Sequence, residues 1–494
     1  MLKAGFEHSY AALGAPYASP QALVPVAKPR LLRWNEALAA ELGWHGDPRT
    51  DHDLLTALAG NQPLAGSRPI ATVYAGHQFG SYNPQLGDGR ATLLGEWLTP
   101  AGQRFDIQLK GAGPTPYSRG GDGRSPIGPV VREYLVSEAM HALGVPTSRS
   151  LAAVATGEGV VRNRIEPGAI LTRVASSHLR IGTIQFFAMT QAGEGLESLV
   201  DYVCRRHFGD ALEAGGQDAA PAHILLQQVS DRLAKLVVHW QALGFVHGVL
   251  NTDNALLCGE TIDFGPCAFI DHFDPNACFS SIDHNGRYAW PNQPAIMHWN
   301  IAVLAECLLG LIDTDPETAR QTAQGVVDGF AETFRRAHLE KLARKFGLDA
   351  VKEEDLLLIQ GFHDLLAEHQ LDLTLSFRWL TESARQSIDN TPIADLYVAP
   401  APLKAWSRDW VLRRRANRTD NEATEAAMLT ANPVVIPRNH LVQRAIEQAE
   451  AGDASFMAQA NLRWRTPFDW QDGDQEWART PEPNERVTRT FCGT

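Results

Sequence analysis

Asn254 and Asp263 are two side chains with oxygen ligands that lie close together in the second half of the chain. Amide and carboxylate oxygens suit Mg²⁺, which takes few protein ligands and completes its shell with water and substrate phosphates. Asp253, directly before Asn254, adds a carboxylate able to accept a proton from a hydroxyl group. The three residues predict a divalent metal, Mg²⁺ or Mn²⁺, that holds a phosphorylated substrate beside a general base.

The same residues stand in the order that protein kinases use. Kinases place H-R-D-x-x-x-x-N in a loop after a helix and D-F-G after a short hairpin. Here the first segment runs from His247 to Asn254, and the second is Asp263-Phe264-Gly265. Asn254 has the kinase offset from the histidine, so the order predicts a kinase-like metal site. A turn followed by an unrelated D-F-G is the alternative.

One position departs from the kinase pattern. Val249 stands where kinases have the catalytic aspartate. Valine can neither accept a proton nor orient a hydroxyl group, so ordinary kinase catalysis is in doubt. Asp253 is the nearest carboxylate that could act as the base instead. Its alternative role is structural, as the cap of a tight loop through an Asx-type hydrogen bond.

Lys110 and Glu133 are a candidate ion pair. Lys110 ends a predicted strand that begins at Phe105, and Glu133 lies on a predicted helix from Pro129 to Leu143. In kinases a strand lysine contacts ATP phosphates, and a glutamate on a helix orients that lysine. Taken alone, this spacing favours a surface lysine and a solvated glutamate; together with the kinase order of the other motifs it predicts a catalytic pair.

Two Gly-Asp-Gly turns lie in the first half of the chain, at Gly87-Asp88-Gly89 and Gly121-Asp122-Gly123. Glycine lets a backbone approach a ligand closely. Arg90, directly after the first turn, adds a charge that suits phosphate. The pattern predicts a phosphate-binding turn, with a hairpin turn and a surface arginine as the alternative.

Arginines near these turns form a second group of cations, namely Arg119, Arg124, Arg173 and Arg180. Arg173 and Arg180 flank Ser176-Ser177-His178, a polar bend between apolar runs. In an acidic chain this group predicts more phosphate ligands than a kinase needs. Salt bridges with surface carboxylates are the alternative role.

These residues need a sheet and a set of helices to position them. Short apolar runs between Gly-rich and Pro-rich turns occupy residues 70–187, which predicts a mostly antiparallel sheet. The clearest runs are Ala91–Leu94, Phe105–Leu109 and Ala169–Thr172. From Pro221 onward the pattern is helical, with an apolar stripe from Leu225 to Leu243. A helical stretch is also predicted near residues 31–42, and a strand-like insert at 255–263.

The predicted fold class is α+β, a protein-kinase-like fold of two lobes with an antiparallel-sheet N-lobe and a helical C-lobe. Extensions are expected at both ends. The predicted bounds are 1–65 for the N-terminal extension, 66–200 for the N-lobe, 201–465 for the C-lobe and 466–494 for a tail that contains Cys492.

Composition narrows the function classes. Hydrophobic residues make up 44% and charged residues 20% of the 494 residues, as in folded globular proteins. The formal net charge of −13 argues against general binding to nucleic acid or a membrane surface, which needs a basic surface. The sequence has no run approaching eighteen apolar residues, and its first residues have no signal-peptide pattern. A cytoplasmic protein is therefore expected.

The chain resembles the selenoprotein O family, the kinase-like protein adenylyltransferases. The resemblance extends over about residues 70–295. It rests on the segments Gly76 to Gly80, Gln85 to Arg90, Gln108 to Arg119, Asp122 to Arg124, His247 to Asn254 and Ile262 to Pro266.

The resemblance implies that ATP binds in an orientation inverted relative to kinases. The α-phosphorus then faces a Ser, Thr or Tyr hydroxyl of a protein substrate, with the chain itself among the candidates, and pyrophosphate leaves. Glu133 is implied as the partner of Lys110, and Asp253 as the base. Asn254 and Asp263 are implied as the metal ligands. The residues implied around the nucleotide are Gly87, Gly89, Arg90, Lys110, Asp122, Gly123, Arg173, Arg180 and Asp263.

Two other functions stay open at this point, a protein kinase that uses the γ-phosphate and a non-catalytic pseudokinase that binds partners. The retained metal ligands argue against the scaffold. Cys278 follows the D-F-G segment at an activation-loop-like distance, and Cys492 lies near the end of the chain. A disulfide between them is a hypothesis, with two unrelated free thiols as the alternative.

Overall fold

The computed structural model describes residues 4–190, 194–216, 220–385, 388–418 and 420–491. Within these ranges the chain is a mixed α/β protein, with an antiparallel sheet in its first part and many helices in its second. The predicted antiparallel sheet and the predicted helical region are both confirmed.

Nine strands form the main sheet, and every strand pairing in it is antiparallel. The strands of the described residues are β1 Gly5–Glu7, β2 Ala18–Pro20, β3 Arg30–Trp34, β4 Ile70–Thr72, β5 Gly76–Gln78, β6 Ser81–Asn83, β7 Ala91–Leu98, β8 Arg104–Lys110, β9 Ser125–Pro126, β10 Arg149–Val161, β11 Ile165–Ala175, β12 Phe245–Val246 and β13 Ala268–Phe269. The order in the main sheet is β2-β4-β7-β8-β11-β10-β3, with β1 on β7 and β9 on β11. β5 pairs with β6, and β12 pairs with β13.

Helices dominate the chain after β11. The helices of the described residues are α1 Glu36–Glu41, α2 His52–Leu58, α3 Ile127–Ala142, α4 Ile181–Thr190, α5 Glu194–His207, α6 Gly209–Gly215, α7 Pro221–Leu243, α8 Gln293–Ile312, α9 Pro316–Phe346, α10 Asp355–Glu368, α11 Leu373–Arg385, α12 Ala401–Arg415, α13 Asn421–Ala431, α14 Asn439–Glu450, α15 Ser455–Arg463 and α16 Asp474–Ala478. α3 and α7 confirm the two helices that apolar periodicity predicts. α7 begins with Pro221 and ends before Gly244, whose left-handed φ of 68° closes the helix.

Residues 1–65, predicted as an extension without a motif, supply three strands of the main sheet. β1 pairs with β7, β2 with β4 and β3 with β10. The predicted helical stretch at residues 31–42 is wrong in its first part, because β3 forms there and α1 occupies only the second part. β3 is the last strand in the sheet order, and its pairing partner is distant in sequence, so local periodicity does not report it.

The predicted strand-like insert at residues 255–263 is also corrected. It makes two isolated bridges, Leu256 with Arg180 and Thr261 with Thr147, rather than a strand pair. The strand pair that does form, β12 with β13, flanks this segment. Leu256 and Ile262 are fully buried, so the apolar residues that suggested strands belong to a buried loop.

One hydrophobic core connects the sheet to the helices. α3 packs against β10 and β11, and α14 packs against α3. Buried side chains continue from these elements into α7, α8 and α9. The loops that follow α7 therefore lie next to the sheet, which places the second half of the chain against the strand that carries Lys110.

Among the described residues, one helical segment, Trp290–Ile312, has the length and apolar composition of a membrane-crossing helix. An 18-residue window within it has a mean hydropathy of 1.7. Half of that window is buried, and α8, which the segment contains, packs against α4, α7 and α9. A core helix of a globular fold passes the same test, and these contacts place α8 in the core.

Candidate active site

A cleft of about 730 Å³ is lined by residues from the sheet and from the loops that follow α7. It collects predicted site residues that are distant in sequence: Gly87, Gly89, Arg90, Lys110, Asp122, Gly123, Arg173, Arg180, Asp253, Asn254 and Asp263. Glu133, the remaining predicted residue, lies behind the cleft wall and contacts Lys110. The structure therefore brings the whole predicted set to one place.

Lys110, Glu133, Arg173 and Asp263 form one ion-pair network. Lys110 Nζ lies 2.6 Å from Glu133 Oε2 and 3.0 Å from Asp263 Oδ1. Arg173 donates hydrogen bonds to Glu133 and to Asp263. Lys110 and Glu133 are both buried, so this pair is the predicted ion pair and not two solvated surface residues.

Strand register explains why two of these cations face the same cleft. Lys110 ends β8, and Arg173 lies opposite Gln108 on the neighbouring strand β11. Residues two apart on a strand point to the same face, so Gln108 and Lys110 share a side. Arg173 Nη1 reaches Gln108 Oε1 at 3.3 Å, which fixes the guanidinium beside the lysine.

Opposite charges set the protonation states in this network. Burial alone would raise the pKa of the Glu133 and Asp263 carboxyl groups. Arg173 and Lys110 outweigh burial and hold the pKa of Glu133 below its usual value. With Arg180 they hold the pKa of Asp263 well below its usual value. Both carboxyl groups are therefore ionised at neutral pH.

Arg180 brings a third cation to Asp263. Its Nη1 donates to Asp263 Oδ2 at 3.1 Å and to the backbone carbonyl of Asp253 at 2.6 Å. Its Nη2 lies 3.8 Å from Asp88 Oδ1, and its guanidinium lies 4.5 Å from the centroid of the Tyr74 ring. Burial would lower the pKa of Arg180, but these neighbours raise it, so the cation persists in the cleft.

Asp253 is a buried carboxylate whose two oxygens have different surroundings. Its side-chain Oδ2 accepts from Gln78 Nε2 at 3.1 Å, whereas Oδ1 has no partner among the described residues. Burial raises the pKa of Asp253 to about 6, although Arg180 and Gln78 oppose this shift. A carboxylate with this pKa in the wall of a cleft is suited to accept a proton.

Asn254 and Asp263 present the oxygen donors predicted for a metal. The Asn254 amide nitrogen donates to the Val249 carbonyl at 2.9 Å, so its amide oxygen is the atom that would bind a metal. Asp263 has a left-handed φ of 61°, a costly conformation typical of functional sites. Within the described ranges, no group of three or more His, Cys, Asp or Glu residues is arranged to hold a metal. The donors here fit Mg²⁺ or Mn²⁺ whose remaining ligands are water and phosphate.

The two glycine turns pack so closely that a side chain would not fit. A Cβ on Gly87 would lie 2.4 Å from Tyr117 Cγ, and one on Gly89 would lie 2.9 Å from the Tyr117 carbonyl oxygen. Gly123 has φ 63°, and a Cβ there would lie 2.1 Å from the carbonyl carbon of Gly113. Both turns line the cleft, and their contact with phosphate stays a prediction.

Asp122 and Arg124 serve the second turn itself. The Asp122 carboxylate accepts from Arg162 at 2.9 and 3.1 Å and from the Arg124 backbone at 3.0 Å. The hydrogen bonds from Arg162 lower the pKa of Asp122. The Arg124 guanidinium donates to the carbonyls of Val24 and Pro25. Of the four predicted arginines, Arg124 thus anchors the N-terminal segment.

Sequence reasoning gave no role to Gln78 or Asp88, although both lie in segments that carried the resemblance. Gln78 contacts Asp253 across a separation of 175 residues. Asp88 is buried, and its Oδ2 accepts from Thr72 Oγ1 at 2.6 Å and Thr72 N at 3.1 Å. The position of Asp88 between two glycines of a predicted turn is a signal, but it does not identify the partner, and Gln78 has no comparable signal in the sequence.

The hypothetical disulfide between Cys278 and Cys492 stays a prediction. Cys278 is partly exposed, with Sγ 3.6 Å from Asp283 Oδ2. Burial, and then the Asp283 carboxylate, raise the pKa of the Cys278 thiol to about 11. Cys492 lies outside the described residues.

Comparison with known proteins gives a consistent family. A family model described as protein adenylyltransferase SelO matches residues 1–464. Relatives named protein nucleotidyltransferase YdiU, from Rhodopseudomonas palustris (strain BisB5) and Rhizobium meliloti (strain 1021), are each 48% identical over 490 and 493 residues, covering 99% of both chains. A relative of the same name from Alkalilimnicola ehrlichii is 46% identical over 490 residues, covering 99% of this chain and 98% of its own. The chain therefore belongs to the protein adenylyltransferase SelO family.

Proposed function

We propose that this cleft transfers AMP from ATP to Ser, Thr or Tyr hydroxyl groups of proteins and releases pyrophosphate. As a member of its family, the chain is an enzyme, a protein nucleotidyltransferase. The proposal adds the nucleotide, the acceptor groups, the metal, and a kinase-like arrangement of two lobes, with the sheet in one and the helices in the other.

The convergence of Lys110, Arg173 and Arg180 on Asp263 is the observation that carries the proposal. Protein kinases use a single strand lysine at the corresponding place. Three cations suit a triphosphate that binds with its phosphate groups deep in the cleft, because each phosphate group carries negative charge. This supports an inverted nucleotide, with the β- and γ-phosphates on the cations and the α-phosphorus toward Asp253.

Asn254 and Asp263 would hold a divalent metal, Mg²⁺ or Mn²⁺, against the phosphates. When bound, such an ion supplies positive charge to the phosphate oxygens. Asp263 is already ionised in the absence of the metal, because its three cationic neighbours lower its pKa. Phosphate binding would draw those cations toward the nucleotide and leave the carboxylate to the metal.

Asp253 would take the proton of the acceptor hydroxyl. As its oxygen attacks the α-phosphorus, the bond from that phosphorus to the β-bridging oxygen breaks and pyrophosphate departs with the electron pair. The proton passes to the Asp253 carboxylate, which lines the cleft and accepts a hydrogen bond from Gln78. Val249 occupies the kinase aspartate position and cannot take a proton. Catalysis through Asp253 does not need a carboxylate at position 249.

Product analysis tests this function directly. The purified enzyme, ATP, Mg²⁺ and a mixture of soluble proteins are incubated, and the nucleotide products are separated. AMP transfer predicts pyrophosphate as the released product, in an amount equal to the protein-bound AMP plus any free AMP. Release of ADP with protein-bound phosphate would support the kinase alternative instead.

A further inference from the structure

The β5–β6 hairpin has an uncommon residue in its turn. Gln78 pairs with Ser81, so Phe79 and Gly80 form a two-residue turn, with φ of 53° and 83°. Positive φ at both positions is the type I′ pattern, which favours Asn-Gly because asparagine tolerates the left-handed conformation. Phenylalanine is strained there. Local strain of this kind is characteristic of sites where a side chain is needed for function.

The turn is held against the loop that carries the proposed base. The Phe79 backbone N–H donates to Tyr288 Oη at 2.9 Å and to Asn251 Oδ1 at 3.3 Å. The Phe79 ring centroid lies 5.1 Å from that of Tyr288. Gln78, the preceding residue, contacts the Asp253 carboxylate. The Phe79 ring is therefore held next to Gln78, the residue that contacts the proposed base Asp253.

Phe79 belongs to an apolar surface at the mouth of the cleft. We call this surface the acceptor platform and define it by Phe79, Tyr82, Ile282 and Arg287. Phe79, Tyr82 and Ile282 are 36%, 39% and 54% exposed. Phe79 and Ile282 both border the cleft, and Tyr82 lies on β6 of the same hairpin. The platform is continuous with the candidate active site.

Arg287 gives the platform a positive charge. Its guanidinium lies 5.1 Å from the centroid of the Trp299 ring. It also borders the turn, since a Cβ on Gly80 would lie 3.5 Å from Arg287 Cζ. Arg287 is partly exposed. A carboxylate is the group that best complements such a guanidinium.

We propose that the acceptor platform binds an extended segment of the protein substrate. An apolar side chain of that segment lies on Phe79 and Tyr82, and a carboxylate lies beside Arg287. A nearby Ser, Thr or Tyr hydroxyl then reaches Asp253 from the open side of the cleft. This inference rests on the proposed function and specifies the acceptor that the site selects.

Synthetic peptides with defined substitutions test the platform. The probe peptide has an acceptor Tyr flanked by Leu and Glu, with analogues in which Leu is Asn or Glu is Gln, and with Ser- and Thr-centred counterparts. Transfer of α-³²P-AMP is measured over a range of peptide and ATP concentrations. For wild type we expect the KM for the peptide to rise about tenfold when Asn replaces Leu. A separate rise of about tenfold is expected when Gln replaces Glu.

Phe79→Asn removes the ring and places the favoured residue in the turn. We expect its KM for the Leu-Glu peptide to rise about tenfold, with its melting temperature within about 4 °C of wild type. Leu357→Asn on α10 is the matched control, since Leu357 is 82% exposed and lies outside the cleft lining. Leu357→Asn should leave the KM for the peptide and the KM for ATP unchanged. A rise in the KM for ATP alone with Phe79→Asn would mean that the ring contacts nucleotide, and the platform would be wrong.

Charge reversal provides an independent arm. Arg287→Glu should favour a peptide in which Lys replaces Glu, reversing the wild-type preference. Equal reaction of all peptides with wild type would overturn the platform. Labelling of extract proteins but of none of the peptides would also overturn it, while leaving the proposed function intact. Absence of label from every acceptor would contradict the proposed function itself, and the platform with it.

Discussion

Single residues in the cleft have opposite electrostatic environments that suit different roles. Three cations hold the pKa of Asp263 well below its usual value, which keeps the proposed metal ligand ionised. Burial raises the pKa of Asp253 to about 6, which suits a group that takes up a proton during turnover. Carboxyl groups whose pKa values are moved apart are typical of a division between ligand and base.

Lys110→Met tests the predicted role of the lysine. Removing a buried cation that contacts phosphate should lower the rate of AMP transfer by about 10²- to 10³-fold. The initial rate is measured with α-labelled ATP at saturating Mg²⁺. Lys352→Met is the control, because Lys352 lies at the surface with its side chain 56% exposed, and its rate should equal that of wild type. A Lys110→Met enzyme with an unchanged rate would exclude the lysine from the phosphate site.

Asp253→Asn should stabilise the protein while it abolishes transfer. The pKa of Asp253 is about 6 in the folded protein and 3.8 without the fold, so the folded state binds the proton more tightly. Between these values the free energy of unfolding of wild type falls as pH rises. Above pH 6 the folded protein carries the full cost of ionising the buried Asp253 carboxyl group. The neutral amide avoids this cost, which is about 1–3 kcal/mol.

The stability prediction is measured by thermal unfolding with a metal chelator present. Asp253→Asn should melt at a higher temperature than wild type at pH 7.5, and the difference should disappear near pH 4. Equal melting temperatures at pH 7.5 would show that the Asp253 carboxylate carries no such cost in the folded protein.

At the scale of elements, the sequence identified the parts whose pattern is local. Apolar periodicity predicted α7, which alternates buried and more exposed positions, and it also located α3, although every residue of α3 from Val130 to Met140 is buried. The apolar runs of β7, β8 and β11 were predicted because these stretches are continuously buried. β1, β2 and β3 were missed, since these short strands are defined by pairing with β7, β4 and β10, which lie elsewhere in the sequence.

Gly123→Ala tests whether the second glycine turn shapes the nucleotide site. The added Cβ would lie 2.1 Å from the Gly113 carbonyl carbon, and φ is 63°, so the turn must shift. We expect ATP affinity to fall about tenfold or more, measured by calorimetry. Gly325→Ala on α9 is the control, because no described atom lies within 4 Å of its Cβ position. It should keep its affinity and gain about 0.5–1 kcal/mol of stability. Unchanged affinity for Gly123→Ala would separate this turn from the nucleotide.

On the scale of the whole molecule, Arg438 ties the segment after the D-F-G motif to the C-terminal region. Its guanidinium is fully buried. It lies 2.7 Å from Asp271 and 2.8 Å from Asp372, which directly precedes α11, and it donates to the Ala478 carbonyl at 2.6 Å. Burial raises the pKa of Asp271 to about 6, although Arg438 opposes this shift. Three distant segments therefore depend on one cation.

Arg438→Met should destabilise the protein by about 3–5 kcal/mol, because it leaves two buried carboxylates without their cation. Arg444→Met, a few residues away on α14, is the control. Arg444 pairs with Glu476 in solvent, with side chains 49% and 46% exposed, and its loss should cost less than about 1 kcal/mol. Chemical denaturation of both variants gives the comparison. Equal free energies of unfolding would contradict the account of Arg438.

The sequence predicted which residues form the candidate site better than it predicted which of them contact one another. Lys110 and Glu133 could be paired from sequence, because kinases pair a strand lysine with a glutamate on a helix. The contact between Gln78 and Asp253 spans 175 residues and depends on how the β5–β6 hairpin meets the catalytic loop. The contact of Arg173 with Asp263 likewise depends on sheet register, and that of Arg180 depends on the loop between β11 and α4. Composition and spacing determine neither.

The most direct test of the central claim uses two labelled nucleotides. Wild type and Asp263→Ala are incubated with Mg²⁺ and a protein extract, in parallel with α-³²P-ATP and with γ-³²P-ATP. AMP transfer predicts protein label from the α form only, and loss of that label in Asp263→Ala. Protein label from the γ form only, in wild type, would contradict the account and identify the enzyme as a kinase with an unusual base.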